Sequence, residues 1–305
     1  MLHYCNEYKI DYSKTLLFRQ FYLYSLTVLC NISYSIVPLL ILPYLCYDIP
    51  MKQAILGVNF TPATLHKAVQ YVIARREQLA GQYLCFSNVH TTVMAADDAA
   101  YRKILNNAAR TFADGAPIAF LLRRGGQKAA ERVAGPAFME QMLKATADGS
   151  VSHYFYGSTP EVLDALTARL KRDYPALKIA GSYSPPFTDA AGATAANTAS
   201  IATDSAQGDP DIARINAAQP DILWVGLGAP KQEKWMYAHK GETQAVMAGV
   251  GAAFDFFAGS KRRAPEWMQK CSLEWLYRLC QEPGRLWRRY LVTNTKFLWY
   301  VLTGR

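Results

Sequence analysis

The sequence predicts an α/β fold: a mostly parallel, Rossmann-like sheet with helices on both faces and a helical appendage at its C-terminal end. Three observations predict it. Short apolar runs alternate with helix-patterned stretches from Met51 to about Val250, the order that covers both faces of a parallel sheet. Polar motifs stand immediately after those runs: Ser87-Asn88, Asp114-Gly115, Gly157-Ser158, Gly228 to Glu233 and Gly251 to Asp255. The last sixty residues change character, with ten Lys or Arg against four Asp or Glu and four of the six tryptophans.

The elements follow in order. Gln53–Val58 reads as a first strand. Thr61 caps the next helix with Pro62 at its first position, and Gly81 stops it. "YLCFSN" (83–88) is a second strand. A helical stretch around Tyr101–Ala109 leads to "RTFADG" (110–115). "HYFYGS" (153–158) precedes a helix from Thr159 to Asp173 with Pro160 at its start. "LKIAGSY" (177–183), "DILWVGLG" (221–228) and "AVMAGVG" (245–251) complete the set. Residues 189–208, rich in Ala, Thr, Asn and Ser, read as a surface loop or weak helix. The tail reads as two or three short amphipathic helices broken at Pro265 and Pro283.

Residues 1–50 look foreign to this pattern. They contain neither Ala nor Gly, and Phe21 to Tyr47 carries no charge. That stretch is long enough to cross a bilayer, but Asn31, Pro38 and Pro43 weaken it as a helix. Two readings stand: a membrane segment, or sequence upstream of a true start at Met51, which "MKQAILGVNF" favours. The expected organisation is a leader at 1–50, a catalytic core at 51–245 and a basic aromatic appendage at 246–305.

Composition narrows the function. The 305 residues are 51% hydrophobic with a formal charge of +9, which fits a folded chain with an anionic partner. Six cysteines without a CxxC pair suggest free thiols in a reducing compartment, and five histidines show no ligand spacing. No metal site and no cofactor are expected. "DPD" (209–211) reads as a helix cap at Asp209 rather than a metal pair.

In an open parallel sheet, ligands bind beyond the carboxyl ends of the strands, so the five polar motifs outline one cleft. The turns "GLGAPK" and "GVGAAF" suit phosphate groups at helix N-termini. They lack the third glycine of a dinucleotide fingerprint, which argues against an oxidoreductase. Asp114 is either a helix cap or a partly desolvated general base. Arg132 can pair with it or clamp a phosphate. Asn88 can cap its helix or bind a sugar hydroxyl. The basic, Trp-rich tail suits a lipid interface. The same composition could grip nucleic acid or be a solvated helix face, but neither accounts for Asp114 within the cleft. No nucleic-acid partner is expected.

The stretches "ADGAPI" (113–118), "ERVAGPAFM" (131–139), "DILWVGLGAPKQEKW" (221–235), "GVGAAFDFFAGSKRRAPEW" (249–267) and "LEWLYRLCQEPGRLWRRY" (273–290) together resemble the WecG/TagA/CpsF glycosyltransferases, glycosyltransferase family twenty-six. The resemblance implies an inverting, metal-independent transferase that moves a sugar from a UDP-sugar to a polyprenyl-diphosphate-linked saccharide, peripherally at the cytoplasmic face of the inner membrane, and as a homo-oligomer. It implies Asp114 as general base and Asn88 as an acceptor-positioning group. Arg132 and Gln232 would contact the donor or diphosphate. Gly157, Gly226, Gly228, Lys231, Glu233 and Asp255 would line the same cleft. Arg262, Arg263, Arg278, Arg285, Arg288 and Arg289 would meet the lipid diphosphate or the membrane. Teichoic-acid members carry Thr-x-Asn-x-Glu where this chain has "FSNVH" (86–90). That departure points to a glucose or N-acetylhexosamine-type donor in exopolysaccharide synthesis, with N-acetylmannosamine or its uronic acid as the alternative.

Overall fold

The computed structural model describes residues 52–186, 209–270 and 273–304. The leader at 1–50 and the whole of the loop expected at 189–208 lie outside them. A six-stranded, all-parallel sheet in the order β4-β3-β8-β7-β5-β6 forms the core. Its strands are β3 (Tyr83–Ser87), β4 (Arg110–Ala113), β5 (Ser152–Gly157), β6 (Lys178–Tyr183), β7 (Ile222–Gly226) and β8 (Val246–Gly249). The expected parallel sheet is therefore present, with one exception. The run at Gln53–Val58 is a separate antiparallel hairpin, β1 (Gln53–Ile55) with β2 (Val58–Phe60). Leu56 and Gly57 both take positive φ, 49° and 77°, as a two-residue primed turn requires.

Alternation along each strand divides the core in two. Tyr83, Cys85, Tyr154, Leu223, Val225 and Met247 face one apolar cluster; Leu84, Phe86, Phe155, Trp224, Val246 and Ala248 face the other. On the first face pack α2 (Val89–Asp97), α3 (Ala99–Asn107), α4 (Ala116–Arg124), α7 (Pro210–Ala218) and α8 (Lys231–Ala238). On the second pack α1 (Leu65–Ala74), α5 (Gly135–Ala145), α6 (Pro160–Asp173) and α9 (Ala253–Ala258). Three further helices follow: α10 (Glu266–Lys270), α11 (Glu274–Gln281) and α12 (Pro283–Thr303).

Local chemistry explains most boundaries, and corrects one expectation. Helix α1 starts three residues later than Thr61 would place it. The Thr61 amide is held by the Thr111 carbonyl at 2.8 Å, so the chain stays extended until Thr64 caps the helix through the Lys67 amide. The helical stretch expected around Tyr101–Ala109 is α3, and a further helix, α2, precedes it: Asp98 ends α2 and caps α3. Thr159 caps α6 with Pro160 at its first position, as expected. Strand β8 sits in the middle of the sheet between β3 and β7. The core therefore extends past the boundary expected at residue 245, and the appendage begins only after β8 and α9.

A buried polar chain crosses the second face. The Trp224 indole N–H donates to His153 Nδ1 at 3.1 Å, and His153 Nε2 lies 2.9 Å from Thr146 Oγ1, whose hydroxyl reaches the Met142 carbonyl at 2.8 Å. These bonds are mutually satisfied only if the imidazole is neutral with its proton on Nε2. Burial pushes the His153 pKa down to about 4, against a small opposing pull from Asp221. An unfolded histidine titrates near pH 6.5. Between these values the unfolded chain binds more protons, so this stability is present above pH 6.5 and lost as pH falls to about 4. We expect the stability difference between wild type and His153→Gln to shrink by about 3 kcal/mol from pH 7 to pH 4 in urea unfolding.

Candidate functional site

The carboxyl ends of β3, β4 and β8 meet at the centre of the site. The Asp114 amide donates to the Ser87 carbonyl at 3.0 Å, which carries the ladder one residue beyond β4. The chain then returns past that strand end, with the Val133 amide on the Ala113 carbonyl at 2.8 Å. This return places Arg132 beside Asp114. Across the gap, α5 begins against β8 so closely that a Cβ on Gly135 would lie 3.1 Å from Val250 Cα.

Asn88 caps α2, its side-chain oxygen accepting from the His90 and Thr91 amides at 3.0 and 3.2 Å. Thr91 returns the favour by accepting from the Asn88 amide at 2.9 Å, a reciprocal cap. With its oxygen committed, the Asn88 amide group is the part left to donate toward Asp114. Asp114 exposes 22% of its side chain. Burial pushes its pKa up to about 7. Arg132 opposes that rise, Glu274 adds to it, and Arg278 and the Asn88 hydrogen bond oppose it. The result is a carboxylate that can both accept and release a proton near neutrality.

Two groups in this cluster come from the appendage. Glu274, only 8% exposed, enters from the first turn of α11. It accepts from Arg132 Nη2 at 2.6 Å, while the same nitrogen stands 3.9 Å from Asp114 Oδ1. Arg278 follows one turn later. Sequence reasoning chose Arg278 but passed over Glu274, an acid inside a basic stretch. Nothing in the local pattern distinguishes it from a solvated helical glutamate.

Other expected residues fall elsewhere. Gln232 and Glu233 do not face an open cleft, being 4% and 2% exposed. Gln232 ties α8 to the end of β8: it donates to the Gly249 carbonyl at 3.0 Å and accepts from the Gly251 amide at 3.0 Å. It also donates to Glu233 at 2.8 Å. Burial raises the Glu233 pKa, against hydrogen bonds from Gln232 and Tyr101. Lys231 is exposed at the start of α8. Gly157 and Gly226 lie side by side on β5 and β7. Gly157 has a φ of +107°, and a Cβ there would stand 2.9 Å from the Gly226 backbone. Gly228 opens into free space with a φ of +76°. Asp255, on α9, stands 3.8 Å from Lys261.

Among the tail arginines, Arg263 is held by Glu140 at 2.7 Å, which fastens the start of the appendage to α5. Arg262, Arg288 and Arg289 are exposed, and Arg289 is near enough to His90 to depress its pKa, after burial, to about 4. The Arg285 side chain lies outside the described residues. Helix α12 buries Leu286, Thr293, Phe297 and Tyr300. Lys296 and Tyr300 bind the Asp97 carboxylate at 2.9 and 2.5 Å. The other side of α12 exposes Trp287, Leu291, Leu298, Trp299 and Leu302, the last at 82%. No helix among the described residues is long and apolar enough to cross a membrane.

Comparison with known proteins gives one consistent result. The profile of the "Glycosyl transferase WecG/TagA/CpsF family" matches residues 53–305. The N-acetylglucosaminyldiphosphoundecaprenol N-acetyl-beta-D-mannosaminyltransferases of Staphylococcus aureus strains MW2 and NCTC 8325 / PS 47 are each 28% identical over 240 residues, 78% of this chain and 87% of the relative.

The inward turn of Gln232 has a measurable consequence. Gln232→Leu strands the Gly249 carbonyl and the Gly251 amide, so we expect it to lower the free energy of unfolding by about 1–3 kcal/mol in urea denaturation.

Proposed function

Since the chain belongs to the WecG/TagA/CpsF family of glycosyl transferases, we propose that it moves N-acetylmannosamine from a UDP-sugar to a polyprenyl-diphosphate-linked N-acetylglucosamine, with inversion and with Asp114 as the base. The observation that carries this reading is the half-buried carboxylate at the end of β4, poised near pH 7 beside Arg132 and Asn88. The acceptor hydroxyl attacks the anomeric carbon and its proton passes to Asp114. The bond from that carbon to the diphosphate oxygen breaks, and UDP leaves with the electron pair. Arg132 and the arginines of α11 and α12 offer the positive charge that this departure needs. The two aspartates of "DPD" have other work: Asp209 caps α7 through the Asp211 amide, and Asp211 accepts from the Tyr156 hydroxyl at 2.8 Å. That supports a metal-independent reaction.

The donor follows from weighing two signals. The S. aureus relatives are named N-acetylmannosaminyltransferases and match this chain over 240 residues. The "FSNVH" departure pointed toward a glucose-type donor. However, Phe86 is 6% exposed and packs on Phe112 and Phe138 at ring separations of 5.7 and 5.0 Å. It reads as a core substitution, so the Phe86 half of that argument loses its force, and only His90 still separates this chain from the teichoic-acid pattern.

The exposed apolar stripe of α12, flanked by Arg288 and Arg289, supports peripheral attachment to an anionic membrane surface. There the lipid-linked acceptor would meet the Asp114 cleft.

Two experiments test these readings. Transfer to a short-chain polyprenyl diphosphate-GlcNAc is measured with UDP-ManNAc, UDP-GlcNAc and UDP-glucose in the presence of a chelator. We expect UDP-ManNAc to be the preferred donor, and Asp114→Asn to cut kcat by about a hundredfold or more. The wild-type rate should rise with pH through about 7, as Asp114 loses its proton. Equal rates for the mutant would remove Asp114 from the base role. Separately, Trp287→Ser with Leu291→Ser and Trp299→Ser should abolish sedimentation with anionic vesicles while leaving the free energy of unfolding within about 0.5 kcal/mol of wild type. Retained sedimentation would reject the attachment.

A further inference from the structure

We propose that Glu274 is a positioning residue for the transfer reaction: its carboxylate takes up the Arg132 guanidinium and so leaves the Asp114 carboxylate free to receive a proton. This inference rests on the reading of Asp114 as the base.

The geometry around Arg132 is a competition between two carboxylates. Nη2 lies 2.6 Å from Glu274 Oε2 and 3.9 Å from Asp114 Oδ1. The first is a charge-assisted hydrogen bond and the second is beyond hydrogen-bond range. Arg132 Nε instead reaches the Asp114 main-chain carbonyl at 3.3 Å. The guanidinium is thus anchored to the backbone of the base, and its Nη2 hydrogen-bonds Glu274 rather than the Asp114 side chain. Glu274 has good reason to hold it: a carboxylate that is 8% exposed needs a cationic partner.

The charged and polar groups facing Asp114 come from three elements. Asn88 arrives from the start of α2, Arg132 from the loop before α5, and both Glu274 and Arg278 from α11. Glu274 is the one anion among them. It acts twice, by occupying Arg132 and by its own negative charge, and both effects favour the protonated form of Asp114. Without that charge Arg132 can close onto Asp114. A directly paired carboxylate is a weaker base, because the pair must be disrupted before it accepts a proton. Glu274 also belongs to the appendage, so docking of α11 completes the electrostatics of a base carried by the sheet.

The test uses the full chain with aspartate carboxyl carbons labelled for NMR. The Asp114 resonance is assigned by its loss in Asp114→Asn. In Glu274→Gln, which keeps the size and a hydrogen-bond acceptor but removes the charge, the Asp114 midpoint should fall by about one pH unit. The acid limb of kcat/KM should move down with it, so that the variant loses rate at pH 7.5 but gains relative rate below pH 6. Glu274→Asp keeps the charge and should leave both near the wild-type position. A purely structural role for Glu274 would lower activity at every pH without moving either midpoint. An unmoved Asp114 midpoint in a folded Glu274→Gln protein overturns the proposal. If the NMR midpoint falls but the rate limb stays, the coupling of Glu274 to Asp114 stands and the assignment of Asp114 as base fails instead.

Discussion

Parallel pairing is the constraint on which the rest of this structure depends. Six strands that all run the same way must each return by a crossover. Every carboxyl end therefore opens on one edge, where backbone groups are left without ladder partners. The chain uses that edge fully. One strand end is extended by the Asp114 amide on Ser87, another by the Val133 amide on Ala113, and a third by the Gln232 side chain bridging Gly249 and Gly251. These bonds satisfy the edge and fix the loops whose side chains form the site.

A carboxylate placed there has a defined electrostatic problem. The covered sheet withholds water, which favours a neutral carboxyl, while an adjacent arginine favours the charged form. Asp114 sits between these effects, and its poise near neutrality comes from their balance with Asn88, Arg278 and Glu274. In the proposed reaction the same arginine would serve a second purpose, since developing negative charge on a leaving diphosphate also calls for it. The guanidinium hydrogen-bonds Glu274 at 2.6 Å while its charge stays within 3.9 Å of Asp114.

The appendage is joined to the core by polar contacts at several places. Arg263 meets Glu140, Glu274 meets Arg132, and Lys296 with Tyr300 meets Asp97. One side of α12 is buried through Leu286, Phe297 and Tyr300, while the other keeps tryptophans and leucines in solvent. An amphipathic helix normally exposes its polar face. Here an apolar stripe lies on the outer side, on the same polypeptide stretch that brings Glu274 and Arg278 beside Asp114.

Much of this was legible in the chain itself. Periodicity announced six of the seven expected strands, and the positions of Asn88 and Asp114 directly after strands put both at the carboxyl edge of the sheet, because side-chain period and strand-end placement are local properties of a sequence. The hairpin at Gln53–Phe60 was misread as a strand of the sheet because a short apolar run does not name its partner. Gln232 and Glu233 looked like cleft residues because helix position does not reveal which way a first turn faces. Phe86 looked like a specificity change until its packing on Phe112 and Phe138 was visible. Glu274 was the largest omission. Its sequence separation from Arg132 is 142 residues, and no local pattern encodes a contact made across that distance. The sequence by itself determined the elements, their order and the chemical groups at the strand ends. Only the tertiary structure decided which carboxylate holds Arg132, because that choice depends on where the folded chain brings the last helices back over the sheet.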